Sequence, residues 1–206
     1  MNLVIIKYNA GNIQSVLYAL ERIGVKAMVT DDVETIKKAD KVIFPGVGEA
    51  STAMSYLKSR NLDSLIRDLR QPVLGICLGM QLMCTHSEEN NTPCLGIFEE
   101  KVKLFNPPAL LTSIVLKEDF KVPQIGWNNI YDLKTNLFKN VSDKSYIYLV
   151  HSYYASLGDH TIAITDYIIP YSAALQKRNF YGVQFHPEKS AEAGERILRN
   201  FVEIVD

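Results

Sequence analysis

The sequence predicts an α/β fold built on a mostly parallel sheet. Over roughly the first 80 residues, short apolar runs alternate with stretches whose apolar residues recur at helical spacing. From about Leu95 to Tyr171 the chain is richer in β-branched and aromatic residues. Strands and helices in alternation imply right-handed crossovers between parallel strands. The later region predicts further strands, some of them antiparallel, added to the same sheet.

Each element of the first half has its own signal. Helical spacing over 13–23 predicts the first helix, and Gly24 stands where a helix end favours a residue with positive φ. Asp31 and Asp32 can cap the short helix that follows. The apolar runs are continuous, as expected of strands that are covered on both faces. Four strands are predicted here, at Leu3–Ile6, 26–30, Lys41–Phe44 and Val73–Ile76.

The second half carries weaker signals. Turn-forming residues at 106–108 and 126–129 separate its apolar segments. A strand is predicted at 180–185, and it is followed by a terminal helix whose apolar residues share one face. No internal repeat, low-complexity segment or linker divides the chain. Residues 1–206 are therefore predicted to form one domain.

Composition excludes several functional classes. A net charge of -1 and a pI near 6.4 provide no general attraction to nucleic acid or to anionic membranes. No apolar run approaches the roughly 18 residues that span a bilayer, and no signal peptide is recognisable. The three cysteines, Cys77, Cys84 and Cys94, do not resemble a disulfide framework. We therefore expect a cytoplasmic protein that binds neither nucleic acid nor membrane.

The main chemical signal surrounds Cys77. Gly75 and Gly79 flank it where a predicted strand passes into a helix-compatible stretch, and such glycines permit the cramped strand-to-helix turn of G-x-S-x-G hydrolases. That turn presents a side chain at the sheet edge where open α/β folds bind ligands. The peptide dipoles of a helix N-terminus also favour a thiolate. A lone cysteine is more often a small buried hydrophobe, so this signal alone leaves both interpretations open.

A cysteine nucleophile needs a base, and the sequence contains four histidines. His86 lies in a polar stretch and His160 in an apparent turn, whereas His151 and His186 each end a strand-like segment. On an extended chain Glu188 would lie on the same side as His186 and could accept its second ring N–H. The pair of His186 and Glu188 is therefore the preferred base and orienting acid, with His151 as the rival base.

A metal site is the alternative use for the cysteines. Cys77, Cys84, His86 and Cys94 offer soft ligands, but their spacing is irregular and lacks a C-x2-C element. We therefore expect no bound metal, and no motif in the sequence indicates a cofactor.

Six segments together resemble the class I (triad) glutamine amidotransferases, and among them the glutaminase subunits of imidazole glycerol phosphate synthase. The cysteine elbow and the F-H-P-E ending are general to class I, whereas P-G-V-G-E, G-W-N and H-P-E-K-S are typical of those subunits. The resemblance covers nearly the whole chain and implies a flavodoxin-like open sheet with helices on both faces and added antiparallel strands. The segments are 8–12, 44–49, 75–82, 126–128, 150–154 and 182–190.

The resemblance implies that the chain hydrolyses glutamine to glutamate and ammonia. Cys77 would be the nucleophile that forms a glutamyl thioester. His186 would be the acid and base, with Glu188 as its orienting partner. His151 then becomes a residue at the edge of the site.

The resemblance also implies how the substrate is held. The backbone N–H of Leu78 and one from the loop containing Val47 and Gly48 would form the oxyanion hole, in which each donor is typically worth about 3 kcal/mol. The implied glutamine-binding residues are Gly46, Gln81, Glu89, Ser152 and Tyr153.

A separate partner follows from the resemblance. The synthase half is a (β/α)8 barrel of about 250 residues, which a chain of 206 residues cannot contain. A barrel subunit is therefore expected to receive the ammonia within a heterodimer of histidine biosynthesis, and to activate a glutaminase that is weak alone. For Trp127, the only tryptophan, core packing is the alternative. The implied interface positions are Asn12, Trp127, Tyr146, Tyr148 and Lys189.

Two segments depart from the family pattern. The sequence Pro-Gln-Ile at 123–125 replaces the usual P-H-M, and Phe-Glu-Glu at 98–100 stands where a Pro-Gly pair is usual. Both put local geometry in question and leave the chemistry intact. Three rivals stay open: a class I amidotransferase of another pathway such as anthranilate, guanylate or pyridoxal phosphate synthesis, a non-catalytic paralogue, and a cysteine hydrolase on the same fold.

Overall fold

A computed structural model describes residues 1–9, 12–106, 121–203 and 205 of the chain. Its strands are β1 Leu3–Ile6, β2 Ala27–Thr30, β3 Lys41–Phe44, β4 Val73–Ile76, β5 His86–Ser87, β6 Thr92–Pro93, β7 Lys101–Leu104, β8 Gln124–Asn129, β9 Tyr146–His151, β10 Tyr153–Ala155, β11 Thr161–Tyr167, β12 Ile169–Lys177 and β13 Phe180–Val183. Its α-helices are α1 Ile13–Arg22, α2 Val33–Lys37, α3 Ala50–Ser59, α4 Leu62–Asp68, α5 Leu78–Met83 and α6 Ala191–Glu203. Short 3-10 turns occupy Glu89–Asn91, Asn136–Phe138 and Pro187–Lys189.

The central sheet has seven strands in the order β11-β12-β13-β4-β3-β1-β2. The five strands from β13 to β2 run parallel, and β12 and β11 extend the sheet in antiparallel fashion. With β13 counted as the fifth parallel strand, the order is the 2-1-3-4-5 of flavodoxin-like folds. The predicted α/β fold class, including its parallel sheet and added antiparallel strands, is confirmed.

Helices cover both faces of this sheet. Alternate residues of one strand point to opposite faces, so Val4 and Ile6 of β1 pack into one apolar cluster, and Leu3 and Ile5 into another. The first cluster includes residues of α3, α4 and α5, and the second includes residues of α1 and α6. Burial on both faces is why the parallel strands are continuous apolar runs. Gly24, with φ +78°, follows α1 as predicted, and the Asp32 side chain caps α2.

The prediction of further strands added to the central sheet is correct for β11 and β12 and wrong for the others. Strands β5, β6, β7 and β10 form a separate four-stranded sheet, and β8 and β9 form a two-stranded ribbon. Residues 126–129, predicted to form a turn, lie in β8, because Trp127 and its neighbours pair across to β9. Of the turn predicted at 106–108, residues 107 and 108 lie outside the described residues.

The carboxyl ends of β3, β4 and β13 lie side by side, because these strands are adjacent and parallel. The loop after β3, the residue Cys77 after β4 and the segment after β13 therefore meet at one edge of the sheet. Within the described parts of the chain, no helix is long and apolar enough to cross a membrane. The assignment of residues 1–206 to one domain stays a prediction.

Candidate active site

Cys77 occupies a strained turn between β4 and α5. Its φ of +52° is unusual for a residue with a side chain, and such strain concentrates at functional sites. The flanking glycines allow the close approach on which the turn depends. A Cβ on Gly79 would lie 1.9 Å from the Phe44 carbonyl oxygen, and one on Gly75 would lie 2.8 Å from the Met80 nitrogen. The predicted strand-to-helix elbow is therefore present, with the thiol at the carboxyl edge of the sheet.

His186 and Glu188 lie together beside this thiol. The Nδ1 of His186 is 2.8 Å from Oε1 of Glu188, and both side chains are almost completely buried. Because a carboxylate oxygen can only accept, Nδ1 carries the proton and the ring presents Nε2 to Cys77, with which His186 is also hydrogen-bonded. The contact does not arise from an extended chain as expected, since Pro187–Lys189 is a 3-10 turn.

The surroundings of His186 favour the imidazolium. Burial by itself disfavours the charged ring, but hydrogen bonds to Cys77 and Glu188 outweigh it and raise the pKa of His186 to about 10. The backbone fixes the ring further, because the His186 N–H donates to the Tyr148 carbonyl at 2.9 Å and the Ser190 hydroxyl donates to the His186 carbonyl at 2.6 Å. The arrangement can hold a proton taken from the thiol.

His151, the rival base, lies on the same cavity wall in a different state. Its Nδ1 is 2.7 Å from the Tyr153 carbonyl oxygen, and its Nε2 is 3.1 Å from the Tyr171 hydroxyl. Burial lowers the pKa of His151 to about 4, and the nearby His186 lowers it further, against the effect of the Tyr153 carbonyl. No carboxylate bonds to this ring among the contacts described. His151 is therefore a neutral neighbour of the site.

A backbone carbonyl in the loop after β3 accepts a hydrogen bond from one of the predicted oxyanion-hole donors. The Leu78 N–H donates to the Gly46 carbonyl oxygen at 3.3 Å, so in this conformation it is engaged within the protein. The Tyr8 hydroxyl donates to the Pro45 carbonyl at 2.6 Å and anchors the loop from below. Val47 and Gly48 are exposed on the cavity rim, and Gly48 has φ +115°. The predicted oxyanion residues thus line the same cavity, but the Leu78 N–H is bonded to the Gly46 carbonyl and does not point to a substrate oxygen.

A cavity of about 330 Å³ opens over Cys77. It is lined by the two triad side chains that can contact a substrate, and by most of the predicted glutamine-binding residues. Gly46 is the exception, because it lines a separate narrow crevice together with Val47, His186 and Glu188. The larger cavity is lined by Val47, Gly48, Cys77, Leu78, Gln81, Glu89, Pro123, Val150, His151, Ser152, Tyr153, His186 and Lys189.

Gln81 and Glu89 have well-defined orientations in this cavity. The Gln81 Nε2 donates to the Tyr153 carbonyl at 2.9 Å and to Oε1 of Gln184 at 2.9 Å, which leaves its Oε1 to contact a ligand. The Glu89 carboxylate accepts the Ala50 N–H at 2.8 Å. Burial raises the pKa of Glu89, although the bond from Ala50 opposes this effect. The two side chains offer acceptor oxygens, which suit a substrate ammonium group.

Gln184 contacts the nucleophile and was not predicted from the sequence. Its side chain is fully buried, and its Nε2 lies 3.7 Å from the Cys77 sulfur. A polar residue between the apolar Val183 and Phe185, two residues before His186, is a signal that could have identified it, since buried amides are normally hydrogen-bonded.

The predicted interface residues cluster on the outer face of the β8–β9 ribbon. Trp127 pairs with Tyr148 across the ribbon, and Lys189 lies over the Tyr148 ring at 5.9 Å. Trp127 is 53% exposed and Tyr146 62% exposed, so the core-packing alternative for Trp127 is wrong. Ile125, beside them on β8, is 64% exposed. Asn12 lies apart from the ribbon and lines the same narrow crevice as Gly46 and Glu188.

The two segments that depart from the family pattern make local contacts. Gln124 is buried, and its Oε1 lies 2.8 Å from the Tyr171 hydroxyl. Glu100 is buried against His160, whose Nδ1 is 3.1 Å from the carboxylate. Among the described residues, no group of three or more histidine, cysteine or acidic side chains could hold a metal ion.

Comparison with known proteins identifies the family. Residues 4–205 match the family described as glutamine amidotransferase class-I. The chain is 59% identical to the imidazole glycerol phosphate synthase subunit HisH of Bacteroides fragilis, over 99% of this chain and 100% of that protein. It is 55% identical to the subunit of the same name from Bacteroides thetaiotaomicron, with the same coverage, and 44% identical to that of Haemophilus influenzae, over 100% and 98%.

Solved structures agree on the fold. A glutamine amidotransferase crystal structure superposes with a TM-score of 0.70 at 16% identity, over 98% of both chains. PurLQS from Thermotoga maritima gives 0.70 at 14% identity, over 100% of this chain and 99% of that one. Together with the sequence relatives, these matches show that the chain belongs to the class I glutamine amidotransferases and, within them, to the family of imidazole glycerol phosphate synthase subunits HisH.

Proposed function

We propose that this chain is the glutaminase subunit of an imidazole glycerol phosphate synthase and supplies ammonia for histidine biosynthesis. The observation that carries the proposal is the juxtaposition of Cys77 and His186, which line a substrate-sized cavity, with Glu188 behind them at 2.8 Å from His186. The names of the relatives support the pathway. They also disfavour the rival amidotransferases and the cysteine hydrolase.

The geometry supports a two-stage hydrolysis. His186 accepts the Cys77 proton, and the sulfur attacks the side-chain carboxamide carbon of glutamine. When the tetrahedral intermediate collapses, His186 returns the proton to the leaving nitrogen, and ammonia departs from a glutamyl thioester. His186 then removes a proton from water, which attacks the thioester and releases glutamate and the thiol. Glu188 keeps the ring in one tautomer and stabilises its positive charge.

Substrate orientation follows from the oxygens on the cavity wall. The Glu89 carboxylate and the free Oε1 of Gln81 would face an ammonium group, and Ser152 and Tyr153 line the same cavity, with the Tyr153 carbonyl bonded to Gln81. A glutamine held in this way places its carboxamide over Cys77. Replacement of Glu89 by Gln would therefore raise the KM for glutamine more than it lowers kcat.

Because the Leu78 N–H is already bonded within the chain, the oxyanion hole is incomplete, and this supports activation by a partner. A turn of the Gly46–Val47 peptide would release the Leu78 N–H and bring the Val47 N–H towards the same point, which completes the oxyanion hole. Gly46 and Gly48 make such a turn feasible. The chain alone is therefore expected to hydrolyse glutamine slowly.

A (β/α)8 barrel subunit that docks on the β8–β9 ribbon is the proposed activator. The exposed face formed by Ile125, Trp127, Tyr146 and Tyr148 is apolar and aromatic, as interface centres are. Val150 belongs to the same ribbon and lines the cavity, so the face is continuous with the site. Lys189 connects the ribbon face with the site, because it lines the cavity and lies over Tyr148.

Glutamate release tests the proposal. The full chain is mixed with a cognate barrel subunit and its nucleotide substrate, and glutamate is measured with and without that partner. We expect strong stimulation in the complex and none in Cys77→Ala, whereas Cys94→Ala, which changes a cysteine away from the cavity, should behave as the unmodified chain. Hydrolysis without any response to the barrel would reject the pathway, and activity in Cys77→Ala would reject the mechanism.

A further inference from the structure

Gln184 bridges the substrate-binding and nucleophilic parts of the site. It follows β13, and its side chain has no exposure to solvent. On one side its Oε1 accepts a hydrogen bond from the Gln81 Nε2 at 2.9 Å. On the other side its Nε2 lies 3.7 Å from the Cys77 sulfur. The distance is in the range of an N–H donor to sulfur, so Gln184 touches a reacting atom.

The orientation of both amides is determined by one acceptor. Amide oxygen and nitrogen positions are assigned from the hydrogen-bond network. The Tyr153 carbonyl can only accept, so the Gln81 group that faces it at 2.9 Å is the NH2. The same NH2 faces Gln184, whose near atom must then be the oxygen. Gln184 therefore turns its own NH2 towards Cys77, and no alternative orientation satisfies all three contacts.

We propose that Gln184 is a further catalytic residue, which donates a fixed side-chain N–H to the Cys77 sulfur and stabilises the thiolate that attacks the substrate. The inference rests on the proposed role of Cys77 as the nucleophile. In the first step the proton moves from the sulfur to Nε2 of His186, and the electron pair stays on the sulfur. The Gln184 N–H holds that pair without accepting or releasing a proton.

This role has an uncommon kinetic signature. A hydrogen bond to a thiolate makes the thiolate easier to form but less nucleophilic, because nucleophilicity falls with basicity with a Brønsted slope of about 0.4–0.5. Loss of the Gln184 donor should therefore reduce the thiolate population and raise the reactivity of each thiolate. If the substitution only disturbed packing, the thiol would react more slowly, and the reactivity of each thiolate would not rise.

The groups around Cys77 allow this signature to be measured. Burial raises the pKa of Tyr8 and of Tyr171 well above the ordinary range, and both stay neutral in the usual assay range. His151 stays neutral above its pKa of about 4. A change in the pH profile of the thiol therefore reports the pair formed by Cys77 and His186. The charged groups that also face this space are Glu89, Glu188 and Lys189.

Alkylation by iodoacetamide tests the inference in the full chain, without glutamine or partner. Gln184→Met removes the donor at similar length. We expect the midpoint of the rate against pH to rise by about one unit, equivalent to about tenfold less thiolate at any pH well below the midpoint. The plateau rate at high pH should rise about threefold. Peptide mapping must place the label on Cys77, since burial raises the pKa of Cys84 and that of Cys94, the latter to about 11.

Two further variants keep the test decisive. Gln176→Met makes the same change at a glutamine bonded to Tyr181, away from the cavity, and should leave the profile unchanged. Gln184→Glu keeps the shape but offers the sulfur an acceptor oxygen, so its midpoint should rise further. An unchanged midpoint in both Gln184 variants, or a shifted midpoint with a lower plateau, would overturn the inference. Glutamate release by the unmodified chain decides the proposed function separately, because alkylation requires no glutamine chemistry.

Discussion

Two histidines line the cavity over Cys77, and their surroundings favour opposite protonation states. His186 follows β13, and His151 ends β9. Both rings are buried to a similar degree, with 4% and 6% exposure. Yet the pKa of His186 is raised to about 10, and that of His151 is lowered to about 4. Position at a strand end therefore does not determine the role of a histidine.

The partners of the ring nitrogens explain the difference. For His186 they are Cys77 and the Glu188 carboxylate, which together stabilise a positive ring enough to outweigh burial. For His151 the two partners are a carbonyl oxygen and the Tyr171 hydroxyl, both uncharged, so burial dominates. The charge on His186 also disfavours a second charge on His151. One ring can act as acid and base, while the other acts as a fixed neutral contact.

Substitution of each histidine by Asn gives the largest expected contrast. His186→Asn should lower kcat for glutamate release by about 10³-fold or more, because it removes both the general base and the acid for the leaving ammonia. His151→Asn should lower kcat/KM by no more than about tenfold, mainly through KM, because it removes one hydrogen bond to the Tyr153 carbonyl. The kinetic constants of both variants are measured in the complex with the barrel subunit.

The contrast would fail if His151→Asn abolished activity to the same extent. Thermal unfolding of both variants distinguishes loss of chemistry from loss of fold. His86→Asn serves as the matched control, because its ring contacts Asn91 outside the cavity.

The two histidines should also contribute oppositely to stability as pH changes. The pKa of folded His151 lies below its unfolded value of about 6.5, so its contribution is complete above pH 6.5 and is lost as pH falls towards about 4. The loss amounts to about 3 kcal/mol. The pKa of folded His186 lies above the unfolded value, so its contribution is complete below pH 6.5 and is lost as pH rises through about 10.

Urea unfolding across this pH range measures both effects. In His151→Asn the decrease of unfolding free energy on the acid side should be shallower than in the unmodified chain. In His186→Asn the decrease on the alkaline side should be shallower. Equal acid slopes in the unmodified chain and His151→Asn would contradict the neutral state assigned to His151.

The parallel half of the fold was predictable because its strands are buried on both faces. Continuous apolar runs such as Leu3–Ile6 have few other interpretations in a domain of this size. The β8–β9 ribbon was harder, because its exposed face carries Ile125 and Trp127, which resemble core residues in a sequence. Apolar residues on an open face are read correctly only when the sheet arrangement is known.

The candidate site can likewise be divided into residues that the sequence predicted and residues that it did not. Cys77 lies in one local motif and His186 and Glu188 in another, and the resemblance to a known family, not their spacing, brought the two motifs together. Gln184 and Tyr171 act through partners distant in the chain: Gln184 lies 107 residues from Cys77, and Tyr171 lies 47 residues from Gln124. Such contacts depend on which strands become neighbours, and no spacing rule contains that information.

Tyr171→Phe is the smallest change that tests why His151 is neutral. With Nδ1–H of His151 committed to the Tyr153 carbonyl, Nε2 must accept, so the Tyr171 hydroxyl donates to it. Tyr171 has one proton, so this donation requires the Gln124 amide, whose Oε1 is placed 2.8 Å from the hydroxyl, to be turned so that its NH2 donates instead. Removal of the hydroxyl leaves Nε2 buried without a donor, which should cost about 1–3 kcal/mol of unfolding free energy.

The effect of Tyr171→Phe on catalysis should be modest and specific. The His151 ring holds the Tyr153 carbonyl beside the substrate, so we expect the KM for glutamine to rise about fivefold at nearly constant kcat. Tyr181→Phe removes a buried hydroxyl that bonds Gln176 away from the cavity, and should change stability without changing KM. A fall in kcat with unchanged KM would instead mean that His151 takes part in proton transfer, and the contrast between the two histidines would no longer hold.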